Sequence, residues 1–115
     1  MLKNIVFIIS FLLIGLNGYA QLPQLRGVDC NRSNTQLYQN LYANITGGTQ
    51  YRFKVTNNTT LVTDSVTKAT RGFNLNEIPS LNRYNCAYDV QVQMDNGSGF
   101  GAYGNICNPS TVSIM

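Results

Sequence analysis

Two stretches of strict alternation constrain this chain more than any other feature. Tyr51, Phe53 and Val55 alternate with Arg52, Lys54 and Thr56, and Tyr88, Val90, Val92 and Met94 alternate with Asp89, Gln91 and Gln93. A period of two buries one set of side chains and wets the other, which is the pattern of a half-buried β-strand. Turn residues frame both stretches. Gly47-Gly48 precedes the first and Asn57-Asn58 follows it, while Asp95-Asn96-Gly97-Ser98-Gly99 follows the second. Gly and Asn tolerate positive φ, so the last of these predicts a hairpin loop.

The remaining strand signals are weaker. Leu37, Leu41, Ala43 and Ile45 place apolar side chains at odd positions, and Leu61 to Thr67 is rich in Val and Thr. Phe73 and Leu75 form a short alternating pair, and Ile78-Pro79-Ser80-Leu81 reads as a loop with two apolar plugs. A last strand is predicted over Gly104 to Val112, with Pro109 tolerated near an edge. No segment after residue 20 keeps a helical period over several turns. About seven short strands, with turns every 8–12 residues or so, predict an all-β sandwich.

The N-terminus reads differently. Lys3 precedes a nearly unbroken apolar run from Ile5 to Leu16, and Gly18 and Ala20 place small residues where a signal peptidase requires them. The run is shorter than the roughly 20 residues that span a bilayer. Residues 1–20 are therefore expected to be a signal peptide and residues 21–115 a single exported domain. Gln21, not a cysteine, stands directly after the cleavage site, which argues against a lipoprotein anchor, and no later segment is apolar enough to cross a membrane. The 115-residue chain carries a net charge of +3 on scattered basic residues, which does not argue for nucleic acid or an anionic membrane.

Export permits disulfides, and the chain has three cysteines, Cys30, Cys86 and Cys107. An odd count leaves one thiol free or paired to another chain. Cys30–Cys107 joins the start of the domain to its end and closes a loop of roughly 80 residues, for which chain-entropy models give about 4 kcal/mol. Cys86–Cys107, or no bridge, is the alternative.

The sequence holds no His, so His-based triads and His-metal centres are excluded, and three cysteines alone do not make a zinc site. The five carboxylates are dispersed. Asp95 reads as a turn residue and Asp89 as an outward sheet residue, and Cys86 has no evident base beside it. Asp95-Asn96-Gly97-Ser98 resembles half of a calcium loop but lacks the acidic residue that would close it. No cofactor, metal or catalytic residue is expected. Asn31, Asn44, Asn57, Asn58 and Asn96 stand in triplets that a eukaryotic secretory path would read as glycan acceptors and that otherwise reflect an Asn- and Thr-rich composition.

The segment Leu81 to Val92 resembles the approach to strand F of fibronectin type III domains, where a loop Leu is followed by a Tyr and then Val-x-Val. Tyr88 matches the tyrosine-corner residue, whose ring packs inward while its hydroxyl bonds back to the loop backbone. Cys86 stands where that family often has Thr.

A narrower resemblance covers most of residues 21–115. Cys30, Leu37 and Leu41, Gly47-Gly48, Tyr51 to Val55, Phe73-Asn74-Leu75, Tyr84 to Val90, Gly97 to Gly101 and Tyr103 to Cys107 follow one another as in fibronectin-type-III-like domains of secreted Bacteroidetes proteins. The resemblance implies an immunoglobulin-like β-sandwich exported by the Sec route, often then by type IX secretion, and it supports pairing Cys30 with Cys107. Such domains usually accompany enzymes, adhesin repeats or a sorting domain. None is present in this sequence, which leaves open a stand-alone module, a remnant or a piece of a longer reading frame.

The expected function is a non-catalytic secreted or cell-surface module for protein interaction, adhesion or spacing, with periplasmic retention as the other destination. The alternative is a small carbohydrate-binding module. Tyr38, Phe100 and Tyr103 are the candidate binding residues for either partner, a protein or a polysaccharide. Phe100 and Tyr103 flank a Gly-rich hairpin, where an exposed ring can stack on a sugar or enter a partner.

Overall fold

The strand Gln50–Asn57 alternates buried and open positions almost without exception, and the structure builds its larger sheet around it. The structure is a computed structural model, and it describes residues 22–113. The signal peptide expected over 1–20 lies outside the described residues. In chain order the regular elements are one helical turn, α1 (Gly27–Cys30), then β1 (Leu41–Tyr42), β2 (Gln50–Asn57), β3 (Val62–Lys68), β4 (Gly72–Phe73), a 3-10 turn (Leu75–Glu77) and β5 (Tyr88–Asp95). The fold is mostly β, with two antiparallel sheets and little helix. One sheet has the order β3-β2-β5 and the other pairs β1 with β4.

The register of the larger sheet follows the sequence pattern. Phe53 lies opposite Val92 and Val55 opposite Val90, so the inward rows of β2 and β5 meet on one face. From the smaller sheet, Leu41 and Phe73 pair and turn toward the same interior. The Phe53 and Phe73 rings stack with centroids 4.5 Å apart, and this contact joins the two sheets. Leu25, Leu75, Ile78, Leu81 and Cys107 complete the core. The apolar plugs Ile78 and Leu81 therefore do close the interior from a loop.

Five strands stand where about seven were expected among the described residues. The losses are at the two ends of the domain. The odd-position pattern Leu37 to Ile45 is regular only at Leu41–Tyr42, although Leu41 and Ala43 are fully buried as the alternation requires. Gly104 to Val112 is not a regular strand. It runs along β5 through separate bridges, Val90 to Cys107 and Ala87 to Ser110, held by bonds such as Cys107 N–H to Val90 O and Tyr88 N–H to Pro109 O. The physical cause is a change of register. Asp95 faces Phe100 while Val90 faces Cys107, so the last segment is longer than the part of β5 that it covers. The surplus is taken up as an irregularity of the bulge type, which breaks a ladder locally. Gly104 sits in it, and a Cβ there would fall 1.6 Å from the Pro23 carbonyl oxygen. Only glycine lets the N-terminal segment pass so close.

Tyr88 is fully buried, and its hydroxyl donates into the loop before β5, where the carbonyl oxygens of Leu81 and Arg83 lie 2.7 and 2.8 Å away. It also accepts the Arg83 N–H at 3.0 Å. Asn57, directly opposite Tyr88 in the β2–β5 register, is buried beside it. Its Nδ2 approaches the Leu81 carbonyl at 3.4 Å, while its Oδ1 caps the N–H groups of Thr59 and Thr60. Asn57 was expected to be a turn residue. It shapes the turn, but from inside the core.

The structure pairs Cys30 with Cys107 and leaves Cys86 as a buried free thiol. The bridge fastens α1 to the last segment, neither of which has a continuous ladder of its own. Asp29, next to the bridge, is fully buried. It accepts from Arg26 Nε at 2.6 Å, from Arg32 at 3.4 Å and from the Tyr42 backbone N–H at 3.0 Å. A buried carboxylate is tolerated only when paired in this way.

Two outcomes are expected. Replacing Cys30 and Cys107 together by Ser lowers the urea-unfolding free energy by about 4 kcal/mol, as the entropy of so long a loop requires. Tyr88→Phe takes the acceptor from the Arg83 N–H and the hydroxyl donor from the Leu81 and Arg83 carbonyls, and costs about 2 kcal/mol by the same measurement. Burial pushes the Tyr88 hydroxyl above the ordinary tyrosine range. Its contribution is therefore complete below about pH 10, the unfolded value, and is lost as pH rises through the raised folded value. Ultraviolet titration of the native protein should show a tyrosine that ionises above the ordinary range and whose signal is lost in Tyr88→Phe.

Candidate functional site

Because β2 and β5 alternate strictly, their second set of side chains forms a single outward face. Arg52 lies opposite Gln93, Lys54 opposite Gln91 and Thr56 opposite Asp89. On the other side of β2 the same rows continue into Thr67, Ser65 and Thr63 of β3. The face is thus a polar sheet surface with two cations at its centre.

Phe100 and Tyr103 roof its β5 side. The Arg52 guanidinium lies 4.1 Å from the centre of the Phe100 ring, and Lys54 Nζ lies 5.4 Å from the centre of the Tyr103 ring. Such cation–ring contacts are favourable because the ring face carries negative charge density. Arg52 also donates to Gln93 Oε1 at 2.9 Å, which fixes the guanidinium plane over the sheet. Gln93 and Gln91 in turn donate to the carbonyls of Gly101 and Gly104, at 2.8 and 3.2 Å, and hold the last segment against β5.

In a regular strand Phe100 and Tyr103, three residues apart, would face opposite ways. The register change along the last segment brings both to the outward face. The hairpin before them is set by Asp95, whose Oδ1 accepts the N–H groups of Gly97 and Gly99 at 2.7 and 3.1 Å. Asp95 is thus the last residue of β5, and its side chain shapes the turn that follows. Asp89 sits at the margin of the face and accepts from Asn58 at 3.0 Å and from Asn108.

Tyr38 is not part of this face. It is 68% exposed and follows Leu37, whose carbonyl takes the Asn76 N–H of the 3-10 turn. That places it with the smaller sheet, on the far side of the core from Arg52. The three aromatic candidates thus divide into a pair and a single residue. The sequence pattern did not single out Arg52 and Lys54, which seat the pair. The outward alternation of β2 was their only signal.

A second concavity, of about 420 Å³, adjoins the smaller sheet and is lined by Asn40, Tyr42, Lys68, Asn74 and Glu77. Its polar groups are spent on each other. Lys68 pairs with Glu77, Glu77 accepts the Asn74 N–H at 2.9 Å, and Asn74 donates to Asn40. The Tyr42 ring is covered by Arg26 at 4.6 Å and approached by Arg71 at 5.6 Å. Among the described residues no group of three His, Cys, Asp or Glu side chains converges as a metal site, and no helix is long and apolar enough to cross a membrane.

No protein-family model matches the chain, and no curated protein or solved structure matches it. A double-mutant cycle between Arg52→Ala and Phe100→Ala should give a coupling of about 0.5–1 kcal/mol in urea unfolding, the size of a partly exposed cation–ring contact.

Proposed function

We propose that this chain is a non-catalytic, exported β-sandwich module of fibronectin type III-like character that presents the outward face of β2 and β5 to a protein partner at the cell surface. The observation that carries this reading is the pair of cation–aromatic contacts, Arg52 on Phe100 and Lys54 on Tyr103, set in a polar sheet surface. Arg, Tyr and Phe are the side chains that protein interfaces favour, because they bury a large rigid area and still satisfy polar contacts. The apolar N-terminal run with Gly18 and Ala20 supports export, and the Tyr88 loop anchor supports the kinship in fold. The absence of His and the dispersal of five carboxylates support a binding role over a catalytic one.

The carbohydrate reading draws less support from the geometry. Each ring of the pair already carries a cation on one face, so a sugar could stack only on the other, and Tyr38 stands too far away to extend the platform.

Labelled protein spanning Gln21–Met115 is expected to bind whole cells of its source and to lose that binding once surface protein is shaved by protease. The Phe100→Ala/Tyr103→Ala protein should bind at least ~10-fold more weakly, with its β circular dichroism unchanged. Binding that survives shaving and transfers to purified polysaccharide would replace this reading with the carbohydrate one. Unchanged binding by the double variant would remove the face from the site.

A further inference from the structure

β3 is an edge strand. In the order β3-β2-β5 its second side has no neighbour, and among the described residues no backbone hydrogen bond outside the sheet ladder involves Val62–Lys68. The Ser65 N–H makes a bond of 2.8 Å, but to the carboxylate of the preceding Asp64 and not to another strand. Backbone groups of alternate residues point the same way, so Thr63, Ser65 and Thr67 share the open edge. The strand is almost wholly exposed, has no proline, and is rich in Val and Thr. Unpaired edges of this kind invite another strand unless something blocks them.

The side chains of β3 decide which strand fits. The register with β2 puts Val62, Asp64, Val66 and Lys68 on the core-side face. Asp64 and Lys68 are opposite in charge and flank Val66 symmetrically, two residues to either side. An antiparallel copy of the same strand, turned about a two-fold axis through Val66, would place Asp64 against Lys68 twice and Val66 against itself. Ser65 would meet Thr67 at both ends of the dyad, and both have their backbone groups on the open edge. Cross-strand pairs of opposite charge are favourable and like pairs are not. The Ser80 hydroxyl and the Ser65 N–H hold the Asp64 carboxyl below the usual carboxylate range, so it is charged at neutral pH. A two-fold pairing centred on Ser65 also satisfies the backbone, but it sets Asp64 against Val66 and Lys68 against Val62 and forms no ion pair across the edge.

We infer that β3 is a self-association edge, and that two copies of this chain pair antiparallel through it, centred on Val66, to make one continuous sheet of β5-β2-β3 and its two-fold mate. The contact is isologous, so it closes at a dimer and leaves no further edge on that side. The Ser65 N–H exchanges the Asp64 carboxylate for the Thr67 carbonyl of the second copy, while Asp64 leaves the Ser80 hydroxyl and Lys68 leaves Glu77 so that the two meet across the dyad. The edge is separate from the outward aromatic face, and the pairing stands independent of how that face is read.

The test joins hydrodynamics with a covalent trap, on the intact Gln21–Met115 protein. Sedimentation should show a concentration-dependent dimer that weakens at least severalfold between 0.05 and 0.5 M salt, roughly as screened ion pairs require. Ser65→Pro removes only an edge-facing N–H and should be monomeric with its β circular dichroism retained. Facing residues at a non-hydrogen-bonded antiparallel site lie about 4.5 Å apart between Cα atoms, within disulfide reach. Val66→Cys should therefore give a covalent dimer with oxidised glutathione, whereas Ser65→Cys and Thr63→Cys should not. A native protein that stays monomeric to about 1 mM, where association is worth less than roughly 4 kcal/mol, would overturn the proposal. So would a dimer that persists in Ser65→Pro, or crosslinking at Ser65→Cys in place of Val66→Cys.

Discussion

The Cys30–Cys107 bridge holds together the two parts of the chain that hydrogen bonding alone defines least. From Leu22 to Asn40 the backbone has one helical turn and isolated bridges, and from Gly101 to Ser113 it has no regular element at all. Yet these segments cover β5 on one side and the smaller sheet on the other. A covalent link between them changes the accounting, because their ordering cost is removed largely from the unfolded chain. The polar groups beside the bridge then become affordable. Asp29 is buried within one residue of Cys30, and it ties α1 to β1 through the Tyr42 N–H while gathering Arg26 and Arg32. In an unclamped loop that carboxylate would return to water.

A second organising device is the use of buried polar side chains where strands are missing. Thr111 accepts the Cys86 N–H at 3.0 Å and donates to the Arg83 carbonyl at 2.9 Å, so it stitches the C-terminal segment to the loop before β5. Asn57 and Tyr88 do the same for the opposite side of that loop. These bonds replace the ladder that a longer last strand would have made. They also explain why Cys86 is buried without a disulfide. It occupies a core position between Tyr84 and Thr111, with its thiol on the Tyr84 carbonyl.

Much of the fold was legible where one physical signal dominated. The alternations at Tyr51–Thr56 and Tyr88–Met94 gave β2, β5 and their inward rows, because periodic burial needs only the chain itself. The hairpin at Asp95–Gly99 was legible from its turn residues. The ends were not legible, because their order comes from contacts distant in sequence. Nothing local marks Asp29 as buried or Asn57 as a core residue, since both are ordinary loop residues until Tyr42, Leu81 and Tyr88 arrive. The same limit applied to the candidate site. Phe100 and Tyr103 could be named from composition, but their spacing predicts opposite faces. Only the register change along β5 puts them side by side, and only then do Arg52 and Lys54 become their seats.

The irregular last segment therefore has a consequence beyond the lost strand. A regular strand beside β5 would have carried its ladder to a clean edge and shown one of the two rings to the core. The irregular one spends ladder bonds and turns both rings onto the sheet surface, where Gln91 and Gln93 hold the backbone that carries them. The other edge, β3, keeps its regular geometry and its open backbone groups. The larger sheet is thus finished differently on its two sides: on one by a segment that trades regularity for an aromatic surface, on the other by a regular strand with an open backbone edge. A domain with so little regular structure has few surfaces of fixed geometry, and these two lie on and beside β2.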